Sequence, residues 1–231
     1  MTTQPRHLRH RLAGLLFALL LAGCAAKPAD VPPLVAAAWR GDAAAVSALL
    51  AAGPAVDARA PDGSTALLAA TWAGTGRGDA DIARALIAHG AEVNAANQHG
   101  RTALHDVAGT GNLALFELLL ANDANPNART LAGVTPLMDA ALNGRTEIAA
   151  RLVDAGADPN PQDAIGGRSA LMHAAERGHV EIIRLLLAHG ASVDARDKQG
   201  NTALQLAQTE ARRGARWQAI VEMLSKARLG D

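Results

Sequence analysis

The stretch TPLMDAALNGRTEIAARLVDAGADPN, residues 135–160, decides the fold. Thr135 stands where a hydroxyl can cap a helix, and Pro136 opens that helix, where its missing donor does no harm. Ala140 lies three residues after Leu137, on the same helical face. Ile148, Leu152 and Val153 then mark a second helix with an apolar stripe at i, i+4 and i+5. Gly156 takes the left-handed position that ends this helix, and Asn160 opens a loop where a short side chain can bond the backbone.

The pattern recurs on both sides. PPLVAAA (32–38), TALLAAT (65–71), TALHDVA (102–108), TPLMDAA (135–141), SALMHAA (169–175) and TALQLAQ (202–208) align on Leu34, Leu67, Leu104, Leu137, Leu171 and Leu204, at spacings of 33, 37, 33, 34 and 33. A second ladder accompanies the first, with Ile82, Leu115, Ile148 and Ile182 opening the stripes and Gly53, Gly90, Gly156 and Gly190 closing the helices. Asp123 replaces the glycine in the third unit, where aspartate tolerates the left-handed conformation less well. Recurrence at this period points to stacked helix pairs. Ala37, Ala70, Ala140, Ala174 and Ala207 are small enough for neighbouring pairs to approach closely. Residues 74–81, GTGRGDAD, hold the four extra residues of the second unit and predict an outward bulge. ARRGARW, 211–217, lengthens the corresponding turn of the last unit before a final helix ending near Lys226.

Both ladders resemble the ankyrin repeat, a unit of turn, helix, helix and loop, over roughly 32–228. The resemblance implies an all-α repeat solenoid over 32–231, with five clear repeats and a degenerate sixth. It also implies that His105 hydrogen-bonds between neighbouring loops, and that the loop tips and open side of the first helices form a concave recognition surface. By register that surface takes in Trp39, Arg40, Trp72, Asp106, Asp139, His173, Glu176 and Arg177, with the tips 58–63, 95–100, 128–133, 161–167 and 195–200. Trp39 and Trp72 both lie five residues after an aligned leucine, and their register suits either recognition or covering of a thin N-terminal core.

Composition agrees with close-packed helices. Hydrophobic residues make up 49% of the 231 but aromatics only 2%, so alanine and leucine supply the apolar mass. The 22 basic and 22 acidic residues cancel, which gives no broad attraction for a nucleic-acid backbone.

The amino terminus reads differently. Arg6, Arg9 and Arg11 precede the apolar run LAGLLFALLLAG, 12–23, which is too short to span a bilayer comfortably and reads as a signal peptide over 1–23. Leu21-Ala22-Gly23-Cys24 resembles the lipobox of bacterial lipoproteins, which implies cleavage before Cys24 and lipid on its thiol. Residues 24–31 would then form a lipidated tether. Ala25 rather than Asp after the cysteine implies the outer membrane, on the periplasm-facing side.

Chemistry finds little support. His105, Asp106, Asp139 and His173 invite a metal or acid–base reading. However, equivalent positions in adjacent repeats stand roughly 8–10 Å apart, too far for one first coordination shell. GTGRG at 74–78 lacks the strand and lysine of a phosphate loop, and no serine sits in G-x-S-x-G. The expectation is a monomeric scaffold without cofactor or metal, tethered to the membrane and binding a protein. The alternatives are a passive envelope component and, last, an enzyme.

Overall fold

The computed structural model describes residues 30–53, 55–72 and 79–229. The signal peptide over 1–23, Cys24 with residues 25–29 of the tether, and most of the expected bulge at 74–81 lie outside the described residues. Among the described residues there are twelve α-helices, no β-strand, and no helix long and apolar enough to cross a membrane.

The helices come as six pairs: α1 (Pro33–Arg40) with α2 (Ala43–Ala51), α3 (Ala66–Thr71) with α4 (Ala80–Ala88), and α5 (Ala103–Thr110) with α6 (Leu113–Leu120). They continue as α7 (Pro136–Leu142) with α8 (Thr146–Asp154), α9 (Ala170–Arg177) with α10 (Val180–Ala188), and α11 (Ala203–Glu210) with α12 (Ala215–Leu229). The final helix therefore runs past Lys226 to Leu229, because nothing helix-breaking intervenes. Two compact units divide between Gln98 and His99. In the first, α1 packs on α3 and α2 on α4; in the second, α5, α7, α9 and α11 pack in sequence.

The caps are local chemistry. Thr65, Thr135, Ser169 and Thr202 each accept a hydrogen bond from the backbone three residues on, and prolines occupy the first turns of α1 and α7. Gly53, Gly90, Gly156 and Gly190 are all left-handed, and Asp123 joins them at φ 61°, the one non-glycine residue at positive φ among those described. His89 and His189 reach back from helix ends to the carbonyls of Ala85 and Leu185, both at 2.8 Å.

Packing corrects one detail of the expected stripe. Ile87, Leu120, Val153 and Leu187, at i+5, are only half-buried, whereas Ala83, Phe116, Ala149 and Ile183, at i+1, are buried. With about 100° per residue, i, i+4 and i+1 fill one arc while i+5 falls at its edge. In the terminal pair Leu204 is half-buried, since α11 has one first-helix neighbour, α9, rather than two.

The loops are stitched laterally. Within the first unit the N–H of Gln98 donates to the carbonyl of Asp62 at 2.9 Å. Within the second, Leu131 donates to His99, Ala164 to Ala132 and Lys198 to Gly166, at 2.7–2.9 Å. The loop-opening asparagines bond the next repeat rather than their own loop. Asn127 donates to the carbonyl of Gly156 and accepts from the N–H of Asp158, and Asn160 treats Gly190 and Ser192 in the same way.

Two left-handed glycines separate conformation from space. A Cβ on Gly156 (φ 84°) would meet nothing within 4 Å, so Gly156→Ala should cost only the left-handed penalty of about 1–2 kcal/mol. At Gly144 (φ 69°) the His179 ring would lie 2.5 Å from that Cβ. Gly144→Ala should therefore lose clearly more in urea melts. Equal losses would mean that the ring swings aside at no cost.

Candidate partner-binding surface

Backbone register places the first-helix residues, and neighbouring charges then decide which way each faces. Asp106 and Asp139 occupy equivalent positions on α5 and α7, and both are buried, 5% and 9% exposed. Little of either carboxylate reaches solvent, against the exposure that their register suggests. Arg101, directly before the α5 cap, lies over both: Nε donates to Asp106 at 2.9 Å and Nη2 to Asp139 at 3.2 Å. Two carboxylates stacked on packed helices repel, and one planar guanidinium with several donors satisfies them together. Burial pushes the Asp139 carboxyl up to about 6, with Arg101 opposing the shift. Burial acts to lower the Arg101 pKa, but the two carboxylates outweigh it and hold the guanidinium above its ordinary range.

Two repeats on from Arg101, an arginine is used again with other partners. Arg168, in the same place before its cap, donates to Glu176 at 2.7 Å, and both are half-buried. His173 is half-buried too, its Nε2 3.4 Å from Asp163 Oδ2, while its Nδ1 is buried without a hydrogen-bond partner. Burial depresses the His173 pKa in spite of Asp163, so the ring is neutral at pH 7. Asp163 is shifted down: burial pushes it up, and backbone hydrogen bonds, those from Gly166 and Ile165 foremost, together with His173 more than reverse that. Arg177, in the last turn of α9, is exposed.

His105 has the role that the resemblance implies. Its Nδ1 accepts from the N–H of Thr102 at 3.2 Å, and its Nε2 faces the carbonyl of Val134, in the next loop, at 3.0 Å. Burial lowers its pKa to about 4, which leaves a neutral ring that donates through Nε2. In the first unit, α1 carries half-buried Trp39 and exposed Arg40, and packed beside it α3 ends at Trp72, 52% exposed.

The sequence reading does not take in Arg101 or Arg168, although an arginine before two helix caps is a visible signal, and it holds Asp163 only within the tip 161–167. It took the tips as ranges without singling out Leu131 and Ile165, which stand 79% and 75% exposed on adjacent tips. Among the described residues no group of His, Cys, Asp and Glu side chains could hold a metal ion.

The Asp139 shift carries a sign. Its folded pKa lies above the unfolded value of 3.8, so the native state binds the extra proton and Asp139's contribution to stability falls as pH rises from about 4 to about 6. Asp139→Asn should therefore gain on the parent between pH 4 and pH 7, by about 1–3 kcal/mol in urea melts. Arg101→Met should cost about 2 kcal/mol at pH 7, and less when combined with Asp139→Asn. A pH-independent difference between parent and Asp139→Asn would contradict the assignment.

The family model described as ankyrin repeats (3 copies) matches residues 72–163 and 137–228. None of the curated proteins matches the chain. Six helix pairs at the period of the leucine ladder, lateral loop bonds and the neutral His105 bridge agree with that match. The chain belongs to the ankyrin-repeat family.

Proposed function

We propose that this chain is a protein-binding scaffold of the bacterial envelope, held to the membrane by lipid on Cys24 and facing the periplasm. Ankyrin repeats generally mediate protein–protein interaction, and the lipobox-like Leu21-Ala22-Gly23-Cys24 supports the anchor. The outer membrane is the proposed location, on the strength of Ala25 after the cysteine. The observation that carries the binding reading is Trp72, an indole left 52% exposed at the end of a packed first helix, with Trp39 at the same register on its neighbour. Tryptophan combines large apolar area with few soft torsions, which makes it a frequent interface anchor. Within the first unit, exposed Arg40 beside Trp39 adds a cation to that surface; within the second, exposed Arg177 and the Arg168–Glu176 pair are candidate polar contacts of their own. The chain's role is to hold a partner rather than to transform a substrate, and it needs neither cofactor nor metal.

The anchor is tested by Cys24→Ser. Mass spectrometry of detergent-phase material should find acylated product for the parent and an unacylated precursor or soluble product for the variant. Equal mass and partitioning would end the lipoprotein reading. The partner surface is tested by crosslinked capture from the native envelope, followed by affinity measurements on Trp39→Ala and Trp72→Ala. Loss of a tryptophan anchor should weaken binding by about 2 kcal/mol while circular dichroism stays unchanged. Folded variants that bind as tightly as the parent would move the site away from α1 and α3.

A further inference from the structure

Most of the tip residues in the second unit are polar or small, and among the described residues few large apolar side chains are exposed. Leu131 and Ile165 break both rules, at 79% and 75% exposed. They occupy adjacent tips, and the hydrogen bond from Ala164 N–H to the Ala132 carbonyl, 2.7 Å, ties together the residues next to each. The two residues therefore stand on neighbouring stretches of one hydrogen-bonded backbone. The corresponding positions carry Gln98 and His99 on one tip and Lys198 and Gln199 on another.

The charges around them have one sign. Arg129, Arg196 and Lys198 are exposed, and among the described residues none of the three pairs with a carboxylate; each gives a hydrogen bond to a loop carbonyl. The carboxylates of these tips, Asp163 and Asp197, are folded inward, 7% and 5% exposed. Asp163 accepts from Ile165 and Gly166, and Asp197 from Gln199 and Asn201. Asp158 and Asp194 are exposed but stand at the helix ends of their loops, and Asp194 is bound to Arg228 at 3.1 Å. A surface with two aliphatic protrusions, exposed cations and inturned carboxylates is complementary to a segment that is apolar and acidic at once.

We propose that the tips around Leu131 and Ile165 dock an acidic segment of a partner protein, whose apolar side chains cover the two aliphatic groups while its carboxylates meet Arg129 and Lys198. This rests on the protein-binding reading above and gives that partner a chemistry. Fixed loops suit the task, because the lateral hydrogen bonds have already ordered the backbone and little entropy remains to be lost on docking.

The test pans a displayed library of random peptides, about 12 residues long, against the purified full chain. Enriched peptides are expected to combine acidic and apolar residues. They should bind about tenfold more weakly to Leu131→Ser/Ile165→Ser and to Arg129→Glu/Lys198→Glu, and weaken as salt rises from about 50 to about 500 mM. All four side chains are exposed, so circular dichroism of both double variants should match the parent. Trp72→Ala and vesicles of phosphatidylglycerol in phosphatidylcholine are the comparison arms. Peptides that lose binding with Trp72→Ala but not with the tip variants would overturn this inference and leave the scaffold reading intact. Enriched peptides without acids, no enrichment at all, or capture of the anionic vesicles through Leu131 and Ile165 in place of peptides would each overturn it. A partner still captured by crosslinking in those cases would show that only the tip assignment had failed.

Discussion

Alanine three residues after an aligned leucine sets the distance between neighbouring first helices, and much else follows from that distance. Ala37, Ala70, Ala140, Ala174 and Ala207 are all fully buried, beside Leu67, Leu137 and Leu171 at 0–1% exposure. With aromatics at 2% of the chain there is no thick centre for large side chains to fill, so the contact between repeats is itself the core. Val107 takes the alanine place in α5 and is buried too, a larger side chain at the same contact. Stability in such a stack is a sum over neighbours, and a lost contact weakens its own interface first.

Close approach of the helices also brings successive loops within hydrogen-bonding range. The loops of the second unit then satisfy one another through Leu131, Ala164 and Lys198 N–H groups, and the asparagine clamps at 127 and 160 fasten each loop to the next helix end. Asparagine suits this position because it both donates and accepts. Asp57, the aspartate in the corresponding place of the first unit, only accepts, from the N–H of Glu92 at 3.0 Å. Once the backbone groups are paired laterally, Leu131 and Ile165 can stand exposed at these tips without unsettling the loops, while Arg129, Arg196 and Lys198 add side-chain bonds to loop carbonyls.

The repeat was legible because its determinants are local. A hydroxyl before a helix, a proline in its first turn and a glycine after it act over three or four residues, and the sequence displays them directly. Asp123 was readable in the same way, since register alone demanded a left-handed residue there. What escaped depends on residues far apart in the chain. Asp106 and Asp139 read as outward polar positions, and Arg101, 38 residues from Asp139, turns both into a buried cluster. The edge position of Ile87, Leu120, Val153 and Leu187 also depends on how wide an arc the neighbouring helices cover, which no single helix records. For the partner surface, periodicity located the tips, but the exposure of Leu131 and Ile165 follows from loop geometry.

The Arg101 cluster adds something that alanine and leucine cannot. Apolar replacements of similar volume often equal or exceed a buried ion pair in stability, so net stabilisation is a weak explanation for burying two carboxylates. Apolar contacts are non-directional, so they specify the axial register of two helices less sharply than paired polar groups do. A guanidinium bound to Asp106 on α5 and Asp139 on α7 tolerates one register only: displacement along the axis would strand a buried carboxylate. The His105 bridge to Val134 acts across the same interface and is lost by the same displacement. Polar groups thus fix the register that the apolar surface leaves loose, at the interface where the small alanine is missing. Leu131 lies in the same loop as Val134, three residues earlier, and the Thr130 N–H bonds the Val134 carbonyl at 3.0 Å, so the backbone that carries Leu131 is tied to that register.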